Sequence, residues 1–274
     1  MTPAGKAFAR ALCRRRSVVF GYHGVGRPSA DVDPHFLRVA PERLQSQIEL
    51  LLDAGFRFCT VAELAELAGG GPPPPGRAVL SFDDGMEDNH SALLPILRRF
   101  GIPATIYVTT GLIGKPNPWM GNGANARMMT EDELVAVARA GLEIGAHTVT
   151  HPDLSQLDRE ACVREMARSR DELERLTGAP VRTFAYPFCR YGPAAIDAAG
   201  EVGFLAAVTG EGRGGWAPYE MKRAMITGKD GTAGFLLKAA DLYQPLFDSA
   251  AGRAARVSTR ALRRQARRLM ERHG

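Results

Sequence analysis

The chain has 274 residues, of which 45% are hydrophobic, and a formal net charge of +5. This length and apolar content suit one large α/β domain with a substantial core. The charge excess lies mainly at the C-terminal end, where residues 253–272 contain eight arginines and one glutamate. Because the sequence has no Gly-rich phosphate loop, zinc-knuckle spacing or basic–aromatic pattern, it gives no support for nucleic-acid binding.

The cysteines and the N-terminal segment bear on the cellular compartment. Cys13, Cys59, Cys162 and Cys189 are widely separated and form no C-x-x-C pair, which favours reduced thiols. The first arginine cluster follows a short apolar patch instead of preceding it, so no signal peptide is indicated. No apolar run approaches the roughly 18 residues of a membrane-spanning helix. We expect a cytoplasmic protein, although the mature form of an exported protein would share these features.

The first predicted elements are a strand and a helix. Residues 17–23, SVVFGYH, form a β-rich run that ends at His23, as a strand does when it delivers a polar side chain to the end of a sheet. Residues 41–54 have apolar side chains at helical spacing, with proline at the start and glycine just beyond the end, which predicts a helix. The segment 69–76, GGGPPPPG, predicts a stiff surface loop and not a domain linker.

From residue 78 onward, predicted strands and helices alternate. The strands are predicted at 78–82, 103–109, 142–146, 182–186 and 204–208. The helices between them are predicted at about 89–99, 130–140, 157–176 and 193–201. Strands that alternate with helices pair in parallel through right-handed crossovers. Five or six such units close more readily into a barrel than into an open sheet, although the sequence separates these two architectures poorly.

Two adjacent carboxylates follow the strand predicted at 78–82. In the stretch SFDDG, Asp83 and Asp84 stand between an apolar run and a glycine, and each carboxylate disfavours ionisation of the other. A solvated turn is one explanation of such a pair. A bound cation is the other, because its charge favours the ionised form of both carboxylates.

Two histidines follow the strand predicted at 142–146. If the stretch from His147 to His151 turns as a helix, both imidazoles face the same way, which is a metal-ligand spacing; two unrelated loop histidines are the alternative. In parallel α/β folds the C-terminal ends of the strands form the site face, so we expect these histidines to lie near the aspartates. Two imidazoles and one carboxylate are a ligand set of catalytic Zn²⁺, and the second carboxylate is then free to act as a general base.

These motifs together resemble those of the polysaccharide deacetylases, the NodB-homology group or carbohydrate esterase family 4. SFDDGMEDN is similar to the first motif of the family, HTVTHPDLS to the second and FAYPFCRYG at 184–192 to the third. GYHGV and the segment 47–57 resemble the subset in which the barrel begins early. The resemblance spans about residues 18–228 and implies a distorted (β/α) barrel of about seven units. We place this domain at residues 1–250, followed by a basic helical tail at 251–274.

The resemblance also implies roles for single residues. Asp84, His147 and His151 are expected to bind Zn²⁺ or another divalent transition metal such as Co²⁺ or Ni²⁺, and Asp83 to act as the general base. Phe188 occupies the position whose backbone N–H points at the oxyanion, a role that needs no particular side chain. The implied reaction is hydrolysis of a linear amide C–N bond, which removes an N-acetyl group from an N-acetylhexosamine unit of a polysaccharide or glycoconjugate.

The general acid departs from the usual family pattern. A late L-x-H motif is missing, because no histidine lies between His151 and His273. In a permuted arrangement known in the family, a histidine in an early Y-H strand serves as the general acid, and His23 fits this arrangement. The alternative is a structural histidine at the end of a strand, whose ring nitrogens form hydrogen bonds to backbone groups. We expect His35, His90 and His273 to be structural or exposed.

The arginine that usually pairs with the base is also absent. Ala185 stands at its position, so we expect Arg223, with Arg190 as a second candidate, to reach the base from another side. The aspartate–tryptophan fourth motif is not recognisable. We expect Trp216 or Trp119 either to line the substrate groove or simply to pack in the interior.

Two other functions and a membrane contact remain open. One is an O-acetyl carbohydrate esterase on the same scaffold, and the other is a catalytically inactive carbohydrate-binding module, which would normally have lost Asp83 or a metal ligand. The basic tail has a narrow apolar strip and is either a solvated helix end or an amphipathic helix on an anionic membrane. A membrane contact would suit a lipid-linked sugar as substrate and a position at the inner face of the membrane.

Overall fold

The computed structural model describes residues 3–27, 29, 31–120, 127–210 and 214–242. The predicted tail at 251–274 and the domain boundary at 250 lie outside the described residues, as does His273. Within the described part of the chain, no helix has the length and apolar character that crossing a bilayer requires.

The N-terminal part contains three helices and four short strands. In chain order they are α1 (Pro3–Cys13), β1 (Val18–Tyr22), β2 (Gly24–Val25), β3 (Arg38–Val39), α2 (Pro41–Ala54), β4 (Arg57–Phe58) and α3 (Val61–Ala68). Helix α2 has the bounds predicted from sequence, with a proline in its first turn and Gly55 at its C-cap in the left-handed conformation. The proline-rich segment 69–76 is a loop between α3 and the next strand, as predicted.

The remaining elements alternate between strand and helix as far as residue 208, as the sequence predicts, and end with one further strand and one further helix. They are β5 (Arg77–Phe82), α4 (Leu94–Phe100), β6 (Thr105–Val108), α5 (Glu131–Arg139), β7 (Glu143–Ala146), α6 (Arg159–Thr177), β8 (Thr183–Ala185), α7 (Pro193–Val202), β9 (Ala206–Val208), β10 (Ala224–Met225) and α8 (Thr232–Ala239). The helix predicted at about 89–99 begins instead with a π-helical turn, Asn89–Leu93, that leads directly into α4.

The main sheet is entirely parallel and curls around a buried interior. Its strand order is β10-β1-β5-β6-β7-β8-β9, and β4 pairs with β5 beside this path. Strands β1, β6, β8 and β9 are buried along their whole length, as expected for parallel strands covered on both faces. Because all strands run the same way, their C-terminal ends share one rim of this half-barrel, and the loops that follow them meet there.

Candidate active site

Six of the residues assigned to the chemistry line one cavity at the C-terminal ends of the strands. His23 follows β1, the two aspartates follow β5, and His147 follows β7. The cavity has a volume of about 370 Å³ and is lined by His23, His35, Leu37, Asp83, Asp84, Trp119, His147, His151, Phe188, Cys189 and Met225. The register of the parallel strands brings these loops together, since Tyr22 on β1 lies opposite Phe82 on β5.

Three side chains converge as a candidate metal site. Oδ1 of Asp84 lies 3.5 Å from Nε2 of His147 and 3.4 Å from Nε2 of His151, and each of these side chains is at most 7% exposed. These separations are long for a charge-assisted hydrogen bond, which is ~2.7–2.9 Å. Two ligand atoms ~2.0–2.1 Å from one tetrahedral ion would lie roughly 3.4 Å apart. The spacing therefore fits ligands around a shared divalent ion.

The tautomer of His147 also suits metal binding. Its Nδ1 lies 2.7 Å from the backbone oxygen of Ala185 on β8, which can only accept a hydrogen bond. Nδ1 therefore carries the proton, and the lone pair of Nε2 faces Asp84. Ala185 stands at the position where the family usually has an arginine, and its side chain cannot pair with a carboxylate. Its backbone carbonyl group instead orients the imidazole of His147.

The protonation states of the cluster follow from burial and from the facing groups. Burial alone would raise the pKa of Asp84, but the imidazoles of His147 and His151 hold it far below its usual range. Burial lowers the pKa of His151 and outweighs its contact with Asp84, whereas for His147 the carboxylates outweigh burial and raise the pKa. An ionised carboxylate and a neutral imidazole are the forms in which these groups bind metals.

The stretch between the two histidines is a loop, so the helical turn considered from sequence is wrong. Thr148 and His151 have φ of 66° and 58°, in the left-handed region. The carboxylate of Glu165 on α6 accepts the backbone N–H groups of Val149 and Thr150, each at 2.9 Å, and the Thr148 hydroxyl accepts that of His151 at 3.0 Å. These local and tertiary hydrogen bonds replace the helical ones, and the two imidazole rings lie edge to face with their centroids 4.9 Å apart.

Asp83 faces a different partner, the buried guanidinium of Arg223. The two side chains form a bidentate pair with distances of 2.6 and 2.7 Å, and Arg223 is fully buried. Arg223 also donates to the Thr209 carbonyl at 2.8 Å and to the Ser81 hydroxyl at 3.1 Å. Burial alone would raise the pKa of Asp83, but Arg223 holds it below its usual range. The Asp83 carboxylate is therefore ionised at neutral pH.

Of the two arginines considered from sequence, only one reaches the aspartate. Arg190 is exposed and pairs with Asp153 at 3.0 Å. Arg223 immediately precedes β10, which pairs with β1 at one end of the sheet, and its guanidinium reaches across to Asp83 after β5.

His23 lies at the same cavity with one ring nitrogen unsatisfied. Its backbone carbonyl accepts a hydrogen bond of 3.0 Å from the Asn89 side chain, and the N–H of Asp83 donates to the Tyr22 carbonyl at 2.9 Å. Nδ1 of His23 is buried and has no hydrogen-bond partner among the described residues. These backbone hydrogen bonds anchor the His23 main chain and leave this imidazole nitrogen unpaired among the described residues.

Aromatic rings flank His151 on the cavity wall. The rings of Trp119 and Phe188 each have their centroid 4.5 Å from that of His151. Phe188 is 54% exposed and has a φ of 55°; the direction of its N–H towards an oxyanion stays a prediction. Trp216 lies elsewhere, against a core cluster that includes Val19 and Cys59.

Four residues at the cavity carried no sequence signal that we recognised. His35 is exposed, as expected, but it lines the cavity together with Leu37, Cys189 and Met225. Met225 lies in the two-residue strand β10, which is too short for an alternation of side chains to be visible in the sequence. The segment that carries His35 has no periodic pattern to interpret.

His90 belongs to a separate polar cluster with Glu87 and Glu133. The guanidinium of Arg127 pairs with both oxygens of Glu133 at 2.6 Å and lies 3.8 Å from Glu87. Since the guanidinium of Arg127 already pairs with both carboxylates, the cluster is an ion-pair network at the start of α5.

Comparison with known proteins identifies the family. A polysaccharide deacetylase family model matches residues 70–207, half of the chain. The chain is 28% identical over 176 residues to a putative polysaccharide deacetylase, YxkH, of Bacillus subtilis, covering 64% of this chain and 60% of that protein. It is 30% identical over 145 residues to a poly-β-1,6-N-acetyl-D-glucosamine N-deacetylase of Escherichia coli, covering 48% of this chain and 20% of that protein. This chain thus spans less than two thirds of these curated relatives.

Solved structures agree on the fold. IcaB from Ammonifex degensii superposes with a TM-score of 0.67 at 24% identity, and the deacetylase PplD of Streptococcus pyogenes with 0.66 at 23%. Each superposition covers 82% of this chain and 97% of the other. The predicted distorted barrel of about seven units is confirmed. From the matching family model and this shared fold, we conclude that the chain belongs to the polysaccharide deacetylase family.

Proposed function

We propose that this protein is a metal-dependent hydrolase that removes an N-acetyl group from an N-acetylhexosamine unit of a polysaccharide or glycoconjugate. The observation that carries the proposal is the convergence, in one cavity, of a three-residue ligand set, an ionised buried carboxylate and an unsatisfied imidazole nitrogen. Relatives named as poly-β-1,6-N-acetyl-D-glucosamine N-deacetylases support an N-acetyl group as the target.

Asp84, His147 and His151 would hold the ion. Two imidazoles and one carboxylate suit borderline metals better than Mg²⁺ or Ca²⁺, so Zn²⁺, or alternatively Co²⁺ or Ni²⁺, fits the donor set. When bound, such an ion supplies Lewis acidity at the reacting carbonyl group.

Asp83 and His23 divide the proton transfers between them. The Asp83 carboxylate, held ionised and in a fixed orientation by Arg223, accepts the proton of the attacking water. The His23 imidazole, when protonated, donates to the departing nitrogen, because a neutral amine leaves far more readily than an amide anion. Phe188 contributes its backbone N–H to stabilise the oxyanion.

The test is acetate release from a panel of N-acetylated and O-acetylated saccharides, with metal content measured on the same preparations. Release from N-acetylated oligosaccharides by the metal-loaded protein, and loss of both metal and release in the variant Asp84→Ala, are expected. Release only from O-acetylated substrates would replace the proposal with an esterase. Binding without any release would replace it with an inactive carbohydrate-binding module.

The lipid-linked substrate, the cytoplasmic location and the membrane contact remain predictions from sequence. The basic tail that motivates the membrane contact lies outside the described residues. Sedimentation of the full chain with anionic vesicles and with neutral vesicles, compared with a chain ending at residue 250, tests that contact.

A further inference from the structure

We propose that His35 is a substrate-binding residue that forms a hydrogen bond to the glycan beyond the reacting acetamido group. The inference rests on the proposed function and concerns residues 31–37, between β2 and β3, which we call the rim segment. Both His35 and Leu37 of this segment line the cavity. A cavity of about 370 Å³ is near the lower end of the ~300–1,000 Å³ range of small-molecule sites, so a longer glycan must extend across its rim.

His35 has a side chain that is free to bind a ligand. Its imidazole is exposed, and no hydrogen bond joins it to the described residues. A neutral imidazole offers one donor and one acceptor, which matches the hydroxyl groups of a sugar. Of the other cavity residues without a proposed role, Leu37 and Met225 have no side-chain hydrogen-bond donor, and Cys189 offers only a weakly polar thiol. Trp119 packs its ring on His151 and offers one N–H donor but no acceptor.

Asp33 fixes the backbone on both sides of His35. Asp33 is fully buried, and its two carboxylate oxygens accept the N–H groups of Leu37 and Arg38, each at 2.8 Å. Its carbonyl accepts the N–H of Phe36 at 3.0 Å. The rim segment is therefore wound around one buried carboxylate, which limits the positions that the imidazole can reach.

Phe36 holds the other side of the turn. Its φ of 56° lies in the left-handed region, which a phenylalanine seldom adopts without tertiary support. That support comes from Gly228, whose N–H donates to the Phe36 carbonyl at 2.8 Å, and from Lys229, whose Nζ lies 4.0 Å from the centre of the ring. The backbone at His35 is thus held from within the segment and from the loop after β10.

The pair Arg38–Asp88 ties the rim segment to the first motif. Nε of Arg38 lies 2.7 Å from Asp88, and the two side chains are 13% and 8% exposed. The other carboxylate oxygen of Asp88 accepts the N–H of Val25 at 3.1 Å. Asp88 lies four residues after Asp84, at the start of the helical segment that follows the first motif, so the rim segment is tied to the chain that carries the aspartates of the site. A preorganised group loses little conformational entropy when it binds.

The first test is steady-state kinetics of the metal-loaded variant His35→Ala on two substrates. With a short β-1,6-linked N-acetylglucosamine oligomer, KM should rise about threefold to tenfold, the effect of one neutral hydrogen bond, while kcat stays within about twofold. With 4-nitrophenyl acetate, which occupies only the reaction centre, both constants should be unchanged. The variant His35→Gln, which keeps a donor and an acceptor, should recover most of the affinity, and His90→Ala, a histidine away from the cavity, is the matched control.

Binding measurements separate this inference from the proposed function. In the metal-loaded Asp83→Asn background, titration calorimetry with the same oligomer should give a Kd that His35→Ala raises by the same factor. If the wild-type chain does not release acetate but His35→Ala still weakens oligomer binding, the inference holds and the proposed function fails. If acetate is released and His35→Ala leaves both KM and Kd unchanged, the proposed function stands and the inference is wrong.

Discussion

Asp83 and Asp84 are adjacent in the chain, yet each carboxylate is stabilised by its own partners. The backbone turns sharply after β5, where Asp84 and Gly85 have φ of 74° and 77°. Asp83 points to the guanidinium of Arg223, and Asp84 faces the two imidazoles. The repulsion between the two like charges is thus offset separately on each side, and the two residues are suited to different tasks.

Replacing Asp83 tests this division of tasks. In Asp83→Asn, the metal should stay at about one ion per chain while turnover of an N-acetylated oligosaccharide falls about a hundredfold or more, the scale of losing a general base. Metal analysis and initial rates on the same sample check the result. Circular dichroism must show a native fold, since the change leaves Arg223 buried without its anion. Loss of the metal together with activity would mean that the roles of the two aspartates are exchanged.

His23 should affect amide substrates more than ester substrates. His23→Ala should keep the metal and the fold but lose most amide hydrolysis, because the leaving amine then has no positioned acid. An activated ester, whose leaving group needs less protonation, should be hydrolysed at close to the wild-type rate. The ratio of the two rates is the measurement. An equal loss on both substrates would indicate that His23 does not act as the acid.

At the scale of the elements, the sequence predicts the long helices and buried strands well. Helix α2 has the predicted bounds because its apolar spacing, its proline and its terminal glycine all agree. Four strands, β2, β3, β4 and β10, have two residues each. They are too short for the alternation of buried and exposed side chains to be visible in the sequence. Their pairing is decided by neighbours that are distant in sequence.

The candidate site likewise contains residues that the sequence could place and residues that it could not. The motif residues could be placed from sequence because each follows a predicted strand. The conformation between His147 and His151 could not be predicted, because it depends on backbone N–H groups that donate to Glu165, a residue of another element. Arg223 could be proposed only as one of two candidates, because its position depends on the pairing of β10 with β1.

The dependence of this loop on α6 can be tested through Glu165. Glu165→Gln removes the charge that accepts two backbone N–H groups, so His151 should lose its fixed orientation and Zn²⁺ affinity should fall about 10–100-fold, as for other residues that orient metal ligands. Competition with a chromogenic chelator gives the affinity. Glu160→Gln, an exposed residue on the same helix, is the control. Unchanged affinity in Glu165→Gln would show that the loop keeps its shape without this contact.

At the scale of the whole molecule, metal binding should stabilise the fold. The ligands come from the ends of β5 and β7, so an ion that binds only the folded chain couples these parts of the sheet. At a free Zn²⁺ concentration about 100 times Kd, the stabilisation is about 2.7 kcal/mol, which for a domain of this size raises Tm by roughly 5–11 °C. Calorimetry with and without a chelator measures the shift. The double variant His147→Ala/His151→Ala should show none, and an equal shift in that variant would rule out the site.

The pairing of Asp83 with Arg223 has a consequence for how the chain is made. The two residues are 140 positions apart, so a ribosome that adds about 5–20 residues per second synthesises the carboxylate roughly 7–28 s before the guanidinium that neutralises it. Until β10 is added beside β1, the nascent sheet cannot bury Asp83 without leaving a lone negative charge in its interior. The charge balance around Asp83 is therefore completed only when one of the last strands of the sheet is in place, which couples the burial of this carboxylate to the synthesis of β10.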